Sequence, residues 1–562
     1  MLVSGGHDAE SRLGSMIHFS CASRLVAILS LLVLAFGLSS CTPEQEGREQ
    51  PNILLVMADD IGFSDLGSFG AVHVKTPHLD SLARGGVRFT EFYNMAKCDP
   101  SRASLLSGMT TEKEHSGNGQ PLSKLLSDVG YYTAMAGKEH FSTWYGEQLY
   151  HKQAYDDAFT YWAINPYFIP PEGTTTERNE DSTFTNPFRI NKAETDYTEL
   201  NQNREPFYKT DIVTNYGLQF LDNASKEDGP FFLYMPYHVP HYPLQARAED
   251  IEKYEGVFSE GWDQLRKDRF QRQKEIGIMP EGTRLSESED NIYPHGGSED
   301  WWQYDPWSSA SAKEKENYAR EMAVYAAMID RLDQNVGRLL EKLRAMGEAE
   351  NTMIVFLSDN GACPFDNGGY TGHGDPSFGA PGSYGYQRPE WAGAANTPYR
   401  YFKQYGHEGG SHTPFFAYWP GEIDSGTISE QIGHVTDLLP TFLNVAGTSY
   451  PEEVNDQPAP VLDGQSLLPV LQGQKAGPEE DRLVVSGFGS DKRMLRAGDW
   501  KIVRVKERPW ELYNLKEDPA ETNNLAEGRP EKVKALEQRF QEWKSIHGAS
   551  FERSGAGRPD DY

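Results

Sequence analysis

Cys98-Asp99-Pro100-Ser101-Arg102 opens a polar turn that runs into the helix-like stretch SLLSG. A thiol at that place meets the unpaired backbone N–H groups of a helix N-terminus, with an arginine one turn on, and both favour negative charge. Nucleophilic chemistry is one reading of the pattern; a solvent-facing loop with an incidental thiol is the other. Two acidic clusters bear on the choice. Asp59-Asp60 and Asp359-Asn360 supply only hard oxygen donors. Such a set suits Ca2+ or Mg2+ and disfavours zinc, which takes nitrogen and sulfur. Outside the cytoplasm Ca2+ is the expected ion. Capping of neighbouring helices accounts equally well for Asp59-Asp60 taken alone.

Each of these groups stands at the end of an apolar run. NILLVMADD (52–60) and TMIVFLSDN (352–360) stop on the acidic pairs. YYTAMAGKEH (131–140) stops on Lys138 and His140, and PFFLYMPYHVPHYP (230–243) on His238 and His241. Continuous apolar runs suit strands buried on both faces of a parallel sheet covered by helices. Ligands of such sheets bind beyond the carboxyl ends of the strands. One polar ending is weak evidence, since Asp and Asn are common in turns. Four endings aimed at one rim are a site. Between them, residues 321–347 place Met322, Tyr325, Met328, Ile329, Leu332, Val336, Leu339, Leu340 and Leu343 on one helical face, with Gly347 as the stop. That stripe is core packing, and the helix leads into the run at 352 as a crossover.

The 562 residues allow one large domain plus a smaller one, or two or three of ordinary size. Lys plus Arg number 53 against 83 Asp plus Glu, a net charge of −30, which argues against nucleic acid as a partner. Past residue 50 nothing approaches the ~20 apolar residues of a membrane span. The first 50 residues differ. LVAILSLLVLAFG (25–37) follows Arg24 and has signal-peptide length, with Met16 as a plausible start. LSSC (38–41) resembles a bacterial lipobox, which implies cleavage before Cys41 and lipid on its thiol. An ordinary secretory signal is the alternative. The expected location is therefore the bacterial cell envelope, as a lipoprotein of the periplasm, outer membrane or cell surface, with secretion as the alternative. Contact with membrane is expected only through the lipid, and residues 42–50 read as a polar tether. Cys21 would leave with the signal peptide. Cys98 and Cys363 then remain, to form one disulfide or to leave Cys98 for chemistry.

Cys98-Asp99-Pro100-Ser101-Arg102, followed by Leu105, Leu106 and Gly108, resembles the C-x-P-S-R signature of type I sulfatases. Other motifs fall in family order from about 51 to 547: ILLVMADDIGFSDLG (53–67), TPHLDSLARGGVRFTEFY (76–93), GKEH (137–140), PHYP (240–243), SDNG (358–361) and NTPYRYFKQYGHEGGSHTP (396–414). The HEGG stretch and residues 261–278 are similar to the bacterial arylsulfatase branch. The resemblance implies an α/β, alkaline-phosphatase-like sandwich with a large mixed central sheet flanked by helices. A small C-terminal α+β domain with an antiparallel sheet follows. The expected boundaries are 1–41 for the signal segment, 42–50 for the tether, 51–475 for the catalytic domain and 482–550 for the C-terminal one.

The same resemblance implies hydrolysis of sulfate esters, aryl or carbohydrate, after a maturation enzyme oxidises Cys98 to formylglycine. A hydrated aldehyde offers one hydroxyl to attack sulfur and a second to expel sulfate as the carbonyl re-forms. Asp59, Asp60, Asp359 and Asn360 would hold Ca2+, in preference to Mg2+, in contact with residue 98. Asp359 would accept the attacking proton, and Arg102 and Lys138 would stabilise the charge. His140 would take the second hydroxyl proton, while His241 and Lys403 would bind sulfate and protonate the departing oxygen.

Some positions depart from the family. Glu139 stands where an aromatic is common, and residues 484–495 lack the usual aromatic–acidic–Gly pattern. His238 is expected to be a supporting histidine, and Cys363 a packed thiol outside any disulfide. Aromatic-rich 141–168 and Gly-rich 363–391 are expected to set substrate choice at the rim. In the C-terminal part, 494–526 reads as two strands and a turn-rich segment, and 530–548 as a closing helix. Two rivals remain. A phosphodiesterase or phosphatase of the same superfold would use Thr or Ser and a His-rich two-zinc site. A non-catalytic protein binding sulfated glycans would keep Cys98 unmodified.

Overall fold

The computed structural model describes residues 50–547, leaving out 111–118, 141–154, 163–165, 170–187, 192, 196, 201–206, 288–303, 365–374, 376, 455, 475–481, 489–491 and 507. The signal segment, Cys41, all of the tether but Gln50, residues 475–481 between the two expected domains and much of both rim insertions lie outside the described residues.

The four apolar runs form neighbouring strands. β1 (Asn52–Asp59) lies centrally, and every one of its residues is buried. A ten-stranded mixed sheet is built around it with β2 (Val87–Phe89), β3 (Tyr132–Lys138), β4 (Asp157–Tyr161), β5 (Phe188–Ile190), β6 (Ala193–Thr195), β7 (Phe231–Pro240), β8 (Thr352–Ser358), β9 (Phe415–Tyr418) and β10 (Thr427–Ser429). Its spatial order is β10-β2-β9-β8-β1-β7-β3-β4-β5-β6. β8, β1, β7, β3 and β4 run parallel, so their carboxyl ends share one edge. β9 and β5 join antiparallel. Two apolar clusters cover the two faces of the sheet, one from Leu54, Val56 and Ala58, the other from Ile53, Leu55 and Met57. This is the alternation that a strand buried on both sides requires.

The long helix spans Ala312–Met346, longer at its start than the apolar stripe predicts. Its first turns are polar and exposed, so periodicity misses them. The signal that finds them is a capping box, in which Ser311 accepts from Glu314 N–H and Glu314 accepts from Ser311 N–H. Gly347 ends it at φ +81°, a left-handed conformation that suits glycine.

The C-terminal part corrects the expectation of two strands in 494–526. β11 (Leu483–Phe488), β12 (Lys492–Ala497), β13 (Trp500–Val505) and β14 (Glu511–Asn514) form a four-stranded antiparallel sheet, closed by the helix Pro530–His547. Three of these strands fall in the segment. β14 was hidden by its four-residue length and the Pro509 before it. A buried ionic network fastens this sheet to the large one. Lys501 on β13 lies 2.6 Å from Glu408 and 2.9 Å from Glu521. Glu408, in the HEGG motif, also accepts from Tyr93 Oη at 2.8 Å, and Arg496 pairs with Glu91 at 2.6 Å.

Candidate active site

Cys98 is the first residue of the helix Cys98–Ser107, the helix N-terminus expected there, and Gly108 ends it in the left-handed conformation. The thiol meets the tips of β1 and β8: donor atoms of Cys98, Asp59 and Asp359 all lie within 4.8 Å of one another, and all three residues are buried. Arg102, one turn along, donates from Nε to Asp359 Oδ2 at 2.8 Å and lies 3.5 Å from Asp59. Lys138, the last residue of β3, donates to Asp59 at 2.6 Å. Lys403 donates to Asp60 at 2.6 Å. Asn360 donates to the same oxygen, and His241 Nε2 stands 3.7 Å from the other oxygen of Asp60. His140 is buried with its ring edge-on to Trp162. The ten expected site residues at 59, 60, 98, 102, 138, 140, 241, 359, 360 and 403 are thus all buried, on segments that meet at one sheet edge. Glu139 turns to the other side and pairs with Arg189 at 3.5 Å. Cys98 and Cys363 are not joined in a disulfide.

Close backbone approach sets this geometry. Gly137 has φ +145°, and a Cβ there would sit 2.1 Å from the carbonyl of Pro236, so at this position β3 can lie against β7 only through glycine. A Cβ on Gly361 would lie 1.9 Å from Gly409 O, which brings the SDNG and HEGG motifs together. Asp60 sits at φ +70°, strain characteristic of functional sites. On β7 the register with β1 slips between the Met57–Pro236 and Asp59–Pro240 pairs, an irregularity that re-aims the histidines.

The electrostatics are those of buried charges packed together. Burial raises the Asp59 carboxyl, but Lys138, His241, Arg102 and Lys403 overcome it and hold the group below the usual range. For Asp60, burial prevails over Lys403 and the pKa is raised. Asp359 is pushed up to about 7 by burial and by the charge of Asp59, against Arg102 and Lys138. Burial lowers His140 and His241, with Lys138 and Lys403 adding, so both imidazoles are neutral near pH 7. Cys98 corrects one expectation. Burial raises its pKa despite Lys138 and Lys403, so the helix N-terminus does not yield an activated thiolate. An unmodified thiol here is a poor nucleophile.

Asp59 Oδ1, Asp60 Oδ2 and Asn360 Oδ1 are buried without a hydrogen-bond partner among the described residues. Buried oxygens left unpaired are costly. Three of them on neighbouring strand ends fit a hard divalent cation.

The chain belongs to the sulfatase family: the Sulfatase model matches residues 51–448, and the model for the C-terminal part of N-sulphoglucosamine sulphohydrolase matches 398–545. It is a sulfuric ester hydrolase. An uncharacterized sulfatase of Schizosaccharomyces pombe is 31% identical over 82% of this chain and 87% of its own. An arylsulfatase of Klebsiella aerogenes is 28% identical over 75% of this chain and 92% of its own. Among solved structures, Ps i-CgsB in complex with k-i-k-neocarrahexaose shares the fold, with a TM-score of 0.61 at 24% identity, covering 88% of this chain and 93% of that one.

Proposed function

We propose that this enzyme hydrolyses aryl or carbohydrate sulfate esters through a formylglycine made from Cys98, with Ca2+ held by Asp59, Asp60, Asp359 and Asn360. The observation that carries the reading is the convergence of Cys98 with Asp59 and Asp359 in a buried pocket whose own electrostatics disfavour the thiolate. A plain cysteine has no use for that position; a precursor of an aldehyde hydrate does. Bound Ca2+ supplies charge neutralisation at the sulfate oxygens and acidifies a hydroxyl at residue 98. Asp359, whose pKa stands at about 7, takes the proton of that hydroxyl. Arg102 orients Asp359 through two N–H groups and keeps its carboxylate turned to the site. Lys138 and Lys403 present ammonium groups to the anion. Neutral His140 is ready to accept a proton beside residue 98; His241 binds on the leaving-group side, and the ammonium of Lys403 beside it supplies the proton that the departing oxygen takes.

Supply of the aldehyde requires a maturation enzyme. The lipobox-like LSSC supports export to the cell envelope and anchoring through lipid on Cys41, with no other membrane contact; secretion without lipid is the alternative. The family names of the relatives and the open choice of aryl or sugar ester support a sulfated small molecule or saccharide as substrate.

The test is mass spectrometry of the peptide spanning residue 98, from protein produced with a formylglycine-generating enzyme. Sulfate release is then measured from 4-nitrophenyl sulfate and desalted sulfated oligosaccharides. The expected result is thiol-to-aldehyde conversion together with turnover, both lost in Cys98→Ala. Full activity in protein that retains an unmodified thiol would overturn the mechanism.

A further inference from the structure

Behind His241, a lysine and a second histidine extend a buried stack, and neither of these two has a role above. His238 lies inside β7, three residues before His241, and the two rings stack with centroids 4.8 Å apart. On its other side His238 stacks on Tyr167 at 5.4 Å. Tyr167 Oη donates to the His238 and His241 carbonyls, at 2.7 and 3.0 Å, and fixes the backbone that carries both. Lys209, from the helix Lys209–Ala224, reaches His238 Nδ1 at 2.6 Å. Its Nζ lies over the rings of Tyr167 and Tyr161, at 4.2 and 5.1 Å from their centroids. Lys209, His238 and His241 are 1%, 2% and 3% exposed.

The partners bear on where the protons sit. Lys209 Nζ can give an N–H to His238 Nδ1, an arrangement that places the single proton of the neutral ring on Nε2. Burial and Lys209 both hold that ring neutral. His241 is the opposite tautomer: its Nδ1 lies 2.8 Å from the Tyr242 carbonyl, which only accepts, so its proton is on Nδ1. His238 Nε2 is buried with no hydrogen-bond partner among the described residues. The residue also belongs to a group with Asp59 and His241 in which one donor atom of each lies within 4.8 Å of the others, a span that a single bridging atom can fill. That group includes nitrogen donors that can bind a metal. Yet Lys138 sits on Asp59 and Lys403 on Asp60, and these cations repel a second metal while favouring an anion.

We infer that His238 is a sulfate-binding residue, offering Nε2–H to an oxygen of the substrate's sulfate group beside His241, and that Lys209 is the positioning residue that fixes its tautomer. The inference rests on the sulfate-ester reading above. It divides the work between the stacked rings. His241 binds on the leaving-group side, and His238 supplies a donor that never titrates during turnover.

The experiment uses matured, metal-loaded protein with inorganic sulfate as competitive inhibitor of 4-nitrophenyl sulfate hydrolysis. The double variant Lys209→Met/His238→Phe keeps the ring stack and removes both polar partners, which costs little stability when neither is left unpaired. Its inhibition constant for sulfate is expected to rise roughly 10- to 100-fold, the range for a lost hydrogen bond to a charged group. His238→Gln, which retains an N–H near the Nε2 position, should recover most of that loss. An inhibition constant within threefold of wild type in the folded double variant overturns the inference and leaves His238 a packing residue. On unaltered protein, 15N-histidine NMR should show His238 protonated on Nε2, with that resonance shifting on sulfate addition; an Nδ1–H tautomer, or no shift at saturating sulfate, also overturns it. Failure of the underlying reading looks different: wild-type protein bearing the aldehyde would then release no sulfate from any ester.

Discussion

Arg102 reaches from the first turn of the Cys98 helix to Asp359, 257 positions later in the chain, with Nη2 2.7 Å and Nε 2.8 Å from the same carboxylate oxygen. Both side chains are completely buried. The contact locks the helix that carries Cys98 to the strand tip that carries Asp359.

Arg102→Gln removes one member of this buried pair and leaves Asp359 and Asp59 less compensated. It is expected to cost about 3–5 kcal/mol in denaturant titrations. Arg102→Lys keeps the charge but cannot also reach the Lys138 and Tyr237 carbonyls, at 3.4 and 3.5 Å, as the guanidinium does. It should therefore recover only part of the stability and less than a tenth of the turnover.

Metal binding should expel a proton near neutrality. The Asp359 carboxyl is raised in the folded protein, from 3.8 to about 7. The metal-free fold thus holds a proton that the unfolded chain has already released, and its stability falls as pH rises from about 4 to 7 and levels off above. Asp59 is shifted the other way, but its window lies below 3.8. Calorimetry of Ca2+ binding in buffers of different ionisation heat should show more proton release at pH 6 than at pH 8. Equal release at both would contradict the raised carboxyl.

Lys501→Met strands Glu408 and Glu521 in the seam between the two sheets, and a loss of about 3–5 kcal/mol is expected. Calcium affinity per folded molecule should stay within a factor of three, because Lys501 touches none of the proposed ligands. Urea titration and calorimetry on the same preparation separate the two effects.

Gly137→Ala places a methyl 2.1 Å from the Pro236 carbonyl and must push β3 from β7. Since Lys138 follows directly and His238 and His241 ride on β7 and its end, turnover should fall at least tenfold. Normal kcat/KM in this variant would show that the strand spacing is not what positions them.

Much of the site was legible because buried parallel strands write their boundaries plainly. β1 and β8 are unbroken apolar runs that stop on acids, and the polar turn at Cys98 announces the start of its helix. The C-terminal seam was not legible. Glu408 reads as part of a motif near Lys403, yet it serves as the anchor for Lys501, a partner 93 positions away. No local pattern encodes such a pairing.

The amino-acid order by itself determined which groups stand at strand ends, because a chain buried on both faces must be apolar until it leaves the sheet. It also supplied the hard-oxygen donor set and the C-x-P-S-R signature. Only the tertiary structure decided the state of those groups. The Cys98 thiol is raised rather than lowered, and Asp59 and Asp359 are driven apart in pKa. The histidines at the end of β7 are stacked, with Lys209 against Nδ1 of one and the Tyr242 carbonyl against Nδ1 of the other. Desolvation and Coulomb interactions act between atoms a few ångströms apart, and those distances exist only after segments hundreds of residues apart have been packed together.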